Sequence, residues 1–381
     1  MKISMRSIRN SFQNQMMRPQ NATVTGGNIN IYEPQTMRPA FQKRMPVTTF
    51  LRDMFAPGYD TFPTKHVIFD FKKNKQRVAP FVAAGSGPIN IRRDGFRTEI
   101  YEAPFINLSA PYDVDLLQTR LPGENVFGGL TPDERALQLM QQDYMELDDM
   151  ITRREELMIA QMLQYGIATI TGYVDDSATV VRTDTIDYGF ENIINLTGAD
   201  QWNQSTSKKY NDLEKAVTTS RQAGYNPTAA ILGSEAWANM RADSNFMDKY
   251  MDLRYAQFGA INPQLNIANG NGYIYIGRLT ELGLDLYRYD AWYFDENDGK
   301  MKPYISPEKV IVGPENIAER LYGANTLIPQ GSDNFVTIEA PRATKVTIDR
   351  NNDTKSLIVK SRPVPQPFDV SAWAVINTVT T

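Results

Sequence analysis

Residues able to do chemistry are sparse in this chain of 381 amino acids, and their spacing does not favour a catalyst. There is no cysteine and one histidine, His66. The first absence excludes disulfides, thiolate metal sites, iron–sulfur clusters and cysteine nucleophiles. The second means that a Ser-His-Asp triad or a facial iron site has to be built on His66 alone. Gly85-Ser86-Gly87 opens like a dinucleotide loop, but the third glycine and the following helix are missing. No Gly-Lys-Ser/Thr phosphate loop occurs, and Ser86 and Ser234 lack the Gly-x-Ser-x-Gly frame of a hydrolase elbow. Asp295, Asn297 and Gly299 fall short of calcium-loop spacing and read as a hairpin turn. Asp148-Asp149 and Glu155-Glu156 are helix neighbours that point in different directions, so they read as a solvated or interface-facing charge stripe. His66, on a predicted strand, reads as a half-buried polar residue. The sequence therefore predicts no catalytic centre, no cofactor and no metal.

Charge is more informative than motif. The formal net charge is −4, but Lys2, Arg6, Arg9, Arg18, Arg38, Lys43 and Arg44 face one acid, Glu33, in residues 1–46. That stretch has no sustained period and too few clustered apolar residues for a core of its own. It reads as an extended arm with two alternatives: a floppy terminus with incidental arginines, or an arm that orders along a neighbouring subunit or an acidic partner. For the second, a polyanion such as DNA suits the charge; no sequence-specific module accompanies it. No run of 18 apolar residues occurs and the first 20 residues lack a secretory core, so a soluble, intracellular protein is expected.

The elements that position these residues follow from period and punctuation. Residues 47–63 predict a short helix stopped by Pro57-Gly58. Alternation at His66 to Phe71, and again before Tyr101, predicts a long two-stranded projection over 64–104 with net basic charge. Two strands alone are marginal in water, so this hairpin needs a surface to lie on. Thr131-Pro132-Asp133-Glu134 is a capping box with proline at the first helical position, and Gly166 supplies the stop. Between them Ala136, Met140, Tyr144, Leu147, Ile151, Met158, Met162 and Tyr165 recur at three- and four-residue steps, with one seven-residue gap at Arg154. About 35 residues make a rod of roughly 50 Å. Further on, a helix over 208–224, a buried strand at Ala229 to Leu232 and a helix capped by Ser234 alternate with strands, predicting an α/β or α+β unit over 200–325.

Several segments together resemble the major capsid protein E family of tailed bacteriophages, the lambda type. They are FLRDMF with Phe62-Pro-Thr-Lys-His-Val, Ala79-Pro-Phe-Val82, Pro122-Gly-Glu124, Arg153 to Met158 with Gly166, and Ile186-Asp-Tyr-Gly189. Trp202, the surroundings of Trp237, Tyr304-Ile-Ser-Pro307, Val312-Gly313, Tyr322-Gly323 and Lys360-Ser-Arg-Pro-Val-Pro365 complete the series in order. The resemblance implies an α+β fold shared by tailed-phage major capsid proteins and the floor of herpesvirus capsids. It implies an N-terminal arm (1–46), a short connecting helix (47–63), an extended β-hairpin loop (64–104) and a peripheral domain (105–190) with a spine helix (131–166). An axial domain (191–325) and a return to the peripheral domain (326–381) follow. The implied function is self-assembly into pentamers and hexamers of an icosahedral shell around double-stranded DNA, as part of the virion, assembled in the host bacterial cytoplasm. Scaffolding, portal and decoration proteins are implied partners; DNA is met by non-specific electrostatics, and no membrane is involved.

Within that frame the loop's Lys72, Lys73, Lys75, Arg77, Arg92 and Arg93 are expected to face acids on a neighbour, with Asp143, Glu146, Asp148 and Asp149 of the spine as candidates. Gly85 and Gly87 are the expected hinges. The rival readings are an encapsulin-like cellular container and, from another class, a monomeric enzyme or ligand-binding domain using 191–325.

Overall fold

A helix of 34 residues, Pro132–Tyr165, runs through the molecule, and its ends are set by local chemistry. The computed structural model describes residues 47–71, 97–118, 131–173, 180–243, 246, 272–295, 298–328 and 333–379. At the helix start Thr131 Oγ1 accepts from Glu134 N at 3.3 Å, and the Glu134 carboxylate accepts from Thr131 N at 2.9 Å. At the other end Gly166 turns left-handed, φ 67°, and its N–H closes on the Met162 carbonyl. A Cβ there would lie 2.1 Å from Phe190 Cβ, so both conformation and space require glycine.

The apolar stripe is partly as expected. Ala136, Ile151, Met158 and Met162 are buried, and Met140 and Leu147 pack at the edge of a core cluster. Tyr144 and Tyr165, counted in the stripe, are exposed. The gap between Ile151 and Met158 is filled by Glu155, four residues after one and three before the other, and Glu155 is buried.

From its start as far as Ile151 the helix packs on a three-stranded sheet, Ala343–Asp349, Thr354–Ser361 and Ile106–Tyr112, with Ile151 against Tyr112, Leu357 and Val359. The second half meets the main core, where Ile159, Met162 and Leu163 join Leu51, Phe55, Val67, Phe69 and Trp373. A second three-stranded sheet orders Gly58–Phe62, Ala318–Gly323 and Pro363–Pro367. The largest sheet has six strands, in the order Ile193–Asn195, Ala374–Asn377, Lys309–Gly313, Ala229–Leu232, Leu284–Tyr289 and Tyr273–Leu279. The helix Lys209–Gln222 covers it with Leu213, Ala216 and Val217, against Val310, Val312, Ala374 and Ile376.

Three expectations change at this level. The last strand, Ala374–Asn377, grouped from sequence with the returning segment, pairs with Lys309–Gly313 and Ile193–Asn195 in the six-stranded sheet. Conversely, Ala318–Gly323 pairs outside that sheet, with Gly58–Phe62 and Pro363–Pro367. The helix Ser234–Arg241 is not capped by Ser234: Gly233 is its N-cap, where a Cβ would lie 2.4 Å from the Pro307 carbonyl oxygen. Trp292–Asp295 and Lys300–Pro303 pair antiparallel, and Gly299 N donates to the Asp295 carbonyl at 2.9 Å, as a hairpin there requires.

Candidate functional site

The most heavily built polar site lies on the core face of the long helix. Glu156 is wholly buried, and its two carboxylate oxygens accept the backbone N–H groups of Leu51 and Arg52, each at 2.9 Å. These are free donors at the start of the helix Phe50–Phe55, whose own N-cap residue, Thr49, makes no side-chain cap bond. Tyr289 donates its hydroxyl to the same carboxylate at 2.8 Å. Burial pushes the Glu156 carboxyl up to about 7, against the lowering pull of the Leu51, Tyr289 and Arg52 bonds and the Arg52 charge.

One residue back, Glu155 is 2% exposed and accepts from Arg342 Nη1 at 2.7 Å, Tyr322 Oη at 3.0 Å and Arg52 Nη1 at 3.3 Å. Arg342 also donates to Asp148 at 2.7 Å, to Thr152 Oγ1 at 3.3 Å and to the Pro341 carbonyl at 3.1 Å. Buried charges persist when paired and hydrogen-bonded, and here each is. The cluster joins the short helix, the long helix, the strand bearing Tyr322 and the segment entering Ala343–Asp349. It presents donors and acceptors to one another rather than to a cleft, so its chemistry is that of a structural joint.

The far end of the rod is fixed as firmly. Trp373 Nε1 donates to the Leu163 carbonyl at 3.0 Å. Gln164 donates to the Tyr304 carbonyl at 2.7 Å and accepts from Ser306 N at 2.8 Å. Lys309 Nζ sits 3.5 Å from the centre of the Tyr165 ring, and burial lowers its ammonium to about 8.

The root of the 64–104 projection is an antiparallel pair, His66–Phe71 with Arg97–Glu102. Val67 and Phe69 point into the core, which is the surface this hairpin needed. Ile68 and Ile100, directly opposed in register, are 60% and 66% exposed on the other face. His66 is exposed rather than half-buried.

The candidate contact residues divide accordingly. Lys72, Lys73, Lys75, Arg77, Arg92, Arg93, Gly85 and Gly87 lie outside the described residues. Of the spine acids, Glu146 is exposed, and Asp143 lies beside the Tyr112 hydroxyl, raising that phenol together with burial. Asp148 is engaged by Arg342 and Asp149 is buried. Glu155 and Glu156, read as part of a solvated or interface stripe, are instead core residues of the chain itself. None of Arg52, Tyr289, Tyr322 and Arg342 was expected to form a site; Arg52 and Tyr322 entered only within the segments that carry the resemblance. The one available signal was the gap in the apolar stripe, which Glu155 occupies. Among the described residues no three His, Cys, Asp or Glu side chains converge as metal ligands, and no helix is long and apolar enough to cross a membrane.

This architecture is that of phage capsid proteins. It is similar to a structure described as the capsid protein of a prophage of E. coli CFT073, with TM-score 0.57 and 19% identity over 88% of this chain and 93% of that one. It is also similar to the capsid of Ralstonia phage GP4, with TM-score 0.51 and 11% identity over 95% and 99% of the two chains. At such identities the likeness establishes the fold. The holo-SrpI encapsulin of Synechococcus elongatus PCC 7942 gives a TM-score of 0.40 at 10% identity, over 100% of this chain and 96% of that one. No curated protein matches the sequence. The family model for phage major capsid protein E matches residues 33–376, and the chain belongs to that family. It is a structural component of a virion capsid.

Proposed function

We propose that copies of this chain assemble as pentamers and hexamers into an icosahedral shell that encloses phage double-stranded DNA. The observation that carries the reading is the family match over residues 33–376. The geometry supports it: a rod fastened through Glu155, Glu156 and its C-terminal end gives each subunit a stiff body, and the hairpin root is anchored by Val67 and Phe69. Closure multiplies contacts that are individually weak, which lets misplaced subunits leave during growth.

In this reading residues 1–46 are the arm, 64–104 the loop across a neighbour, 131–166 the spine and 105–190 the peripheral domain, to which 326–381 returns. Residues 191–325 form the axial domain, with the strand Ala374–Asn377 added to its sheet. Lys72, Lys73, Lys75, Arg77, Arg92 and Arg93 face acids of the next subunit, where Glu146 is an exposed candidate and Asp148 is already held by Arg342. Gly85 and Gly87 serve as hinges. Scaffolding, portal and decoration proteins complete assembly in the host cytoplasm, and DNA is held by charge alone. Electron microscopy of the purified full chain tests this: polyhedral particles are expected, whereas a monomer at every concentration and salt would overturn it.

A further inference from the structure

Glu155 and Glu156 are chain neighbours in one core, yet the structure gives a counterion to the first alone. Glu155 takes Arg342 and Arg52. Glu156 is wholly buried and is bonded by neutral donors: Leu51 N, Arg52 N and Tyr289 Oη. Among the described residues no lysine or arginine forms an ion pair with it. A buried carboxyl without a paired cation favours its neutral form, and here burial outweighs the bonds and pushes the group up to about 7.

The groups that face it come from three sides. On the short helix Phe50–Phe55 the one facing charge is Arg52, whose guanidinium turns away to Glu155 and to the exposed Asp53. Its own helix adds Glu155, with Arg153 and Arg154, whose charges reach Tyr304. From the strand side come Tyr289 and Tyr304, both phenols raised first by burial and then by the Glu156 charge, so neither loses its proton near neutrality. A proton on Glu156 has a place to sit. A phenol accepts as well as it donates, so Tyr289 can turn to receive it while both backbone N–H groups keep an oxygen.

The first turn of Phe50–Phe55 covers this carboxyl. A helix of six residues is marginal by itself, and this one has no side-chain cap from Thr49. Its end is pinned separately, because Asn316 N donates to the Met54 carbonyl and Ile317 N to the Phe55 carbonyl, each at 3.0 Å. Its start is held by Glu156, by the buried Leu51 and by Phe50, which stacks on Tyr273 at 4.1 Å.

We propose that Glu156 is a proton-operated latch on this first turn. With the proton bound, the turn is shut against the long helix. Once the proton leaves, the turn lifts more often and lets water reach the carboxylate, while Met54 and Phe55 stay pinned. Residues 1–49 continue directly into this helix, so the latch sets how firmly the chain is held at that entry. The inference does not depend on the shell reading above. Its sign follows from linkage: the lifted turn leaves the carboxyl at its ordinary 4.5, the shut turn at about 7. The shut form is therefore favoured most below about 4.5, and opening grows about tenfold per pH unit from there to about 7.

Hydrogen exchange of the full chain, corrected for the intrinsic rate of each amide, tests this from about pH 5 to 7. Protection of the Leu51 and Arg52 amides is expected to fall roughly 100-fold, with no matching fall at Ile159 and Ala160 in the long helix. In Glu156→Gln, which cannot titrate, protection at Leu51 and Arg52 should not vary with pH. Constant protection in the wild type, or a fall shared equally by Ile159 and Ala160, overturns the latch. So does a Glu156→Gln profile that follows the wild type. If that variant does not fold, the two sites compared within the wild-type chain settle the matter.

Discussion

Arg342 and Glu155 meet at 2.7 Å across 187 residues of sequence, both withdrawn from solvent. The pair fastens the entry to the strand Ala343–Asp349 onto the C-terminal half of the long helix. Removing one partner of such a pair strands the other, which typically costs about 3–5 kcal/mol. Arg342→Met is therefore expected to destabilise the unassembled chain by about that amount, and Arg342→Met with Glu155→Leu by clearly less. Denaturant titration of both variants checks this; a single variant as stable as wild type contradicts it.

Glu156 makes stability depend on pH in an unusual direction for a carboxyl. Its folded value, about 7, lies above its ordinary 4.5. The stabilisation linked to its protonation is therefore complete below about 4.5 and lost as pH rises through about 7. The shift corresponds to roughly 3 kcal/mol at most. Glu156→Gln cannot titrate, so its stability relative to wild type should climb between pH 4.5 and 7. Urea midpoints measured across that window give the slope; parallel curves for the two proteins would show that Glu156 does not titrate there.

Gly166→Ala addresses the end of the rod. A left-handed φ of 67° in a non-glycine residue costs about 1–3 kcal/mol, and the added methyl meets Phe190. A clear drop in melting temperature is expected. Gly189→Ala is the control, since φ is 69° there but nothing lies within 4 Å of the new Cβ. If both fall equally, the Phe190 contact contributes nothing.

Charge reversal at Lys72, Lys73 and Lys75 to Glu tests the loop contact. The monomer should fold normally while shell formation is impaired, as seen by sedimentation and electron microscopy. Exposed pairs contribute only ~0–1 kcal/mol each, so the loss comes from misorientation repeated over many copies. Normal shells from the triple variant would remove these lysines from the interface.

Legibility in the sequence tracked the range of the interaction. The ends of the long helix could be read because capping is local: Thr131, Pro132, Glu134 and Gly166 lie within a turn of what they satisfy. The hairpin root was legible because Val67 and Phe69 alternate with exposed Ile68. Tyr144 and Tyr165 misled because a phenol fits an apolar stripe and a wet surface equally well. The carboxylate cluster was hidden because its partners lie some 100 to 190 residues from it, and no local pattern announces that Arg342 neutralises Glu155. The place of Ala374–Asn377 was hidden for the same reason: its neighbours are Lys309–Gly313 and Ile193–Asn195, and register across such distances is not written in either strand alone.

A helix of 34 residues bolted at its C-terminal end by Trp373 and Gln164 is also a lever. Each degree of tilt at that fulcrum sweeps the distant tip, some 50 Å away, through roughly 0.9 Å. Side-chain adjustments too small to disturb the core around Leu163 are thus magnified into displacements large enough to change which atoms touch at the other end. Within the proposed shell, such a lever lets one chain fit slots of slightly different curvature.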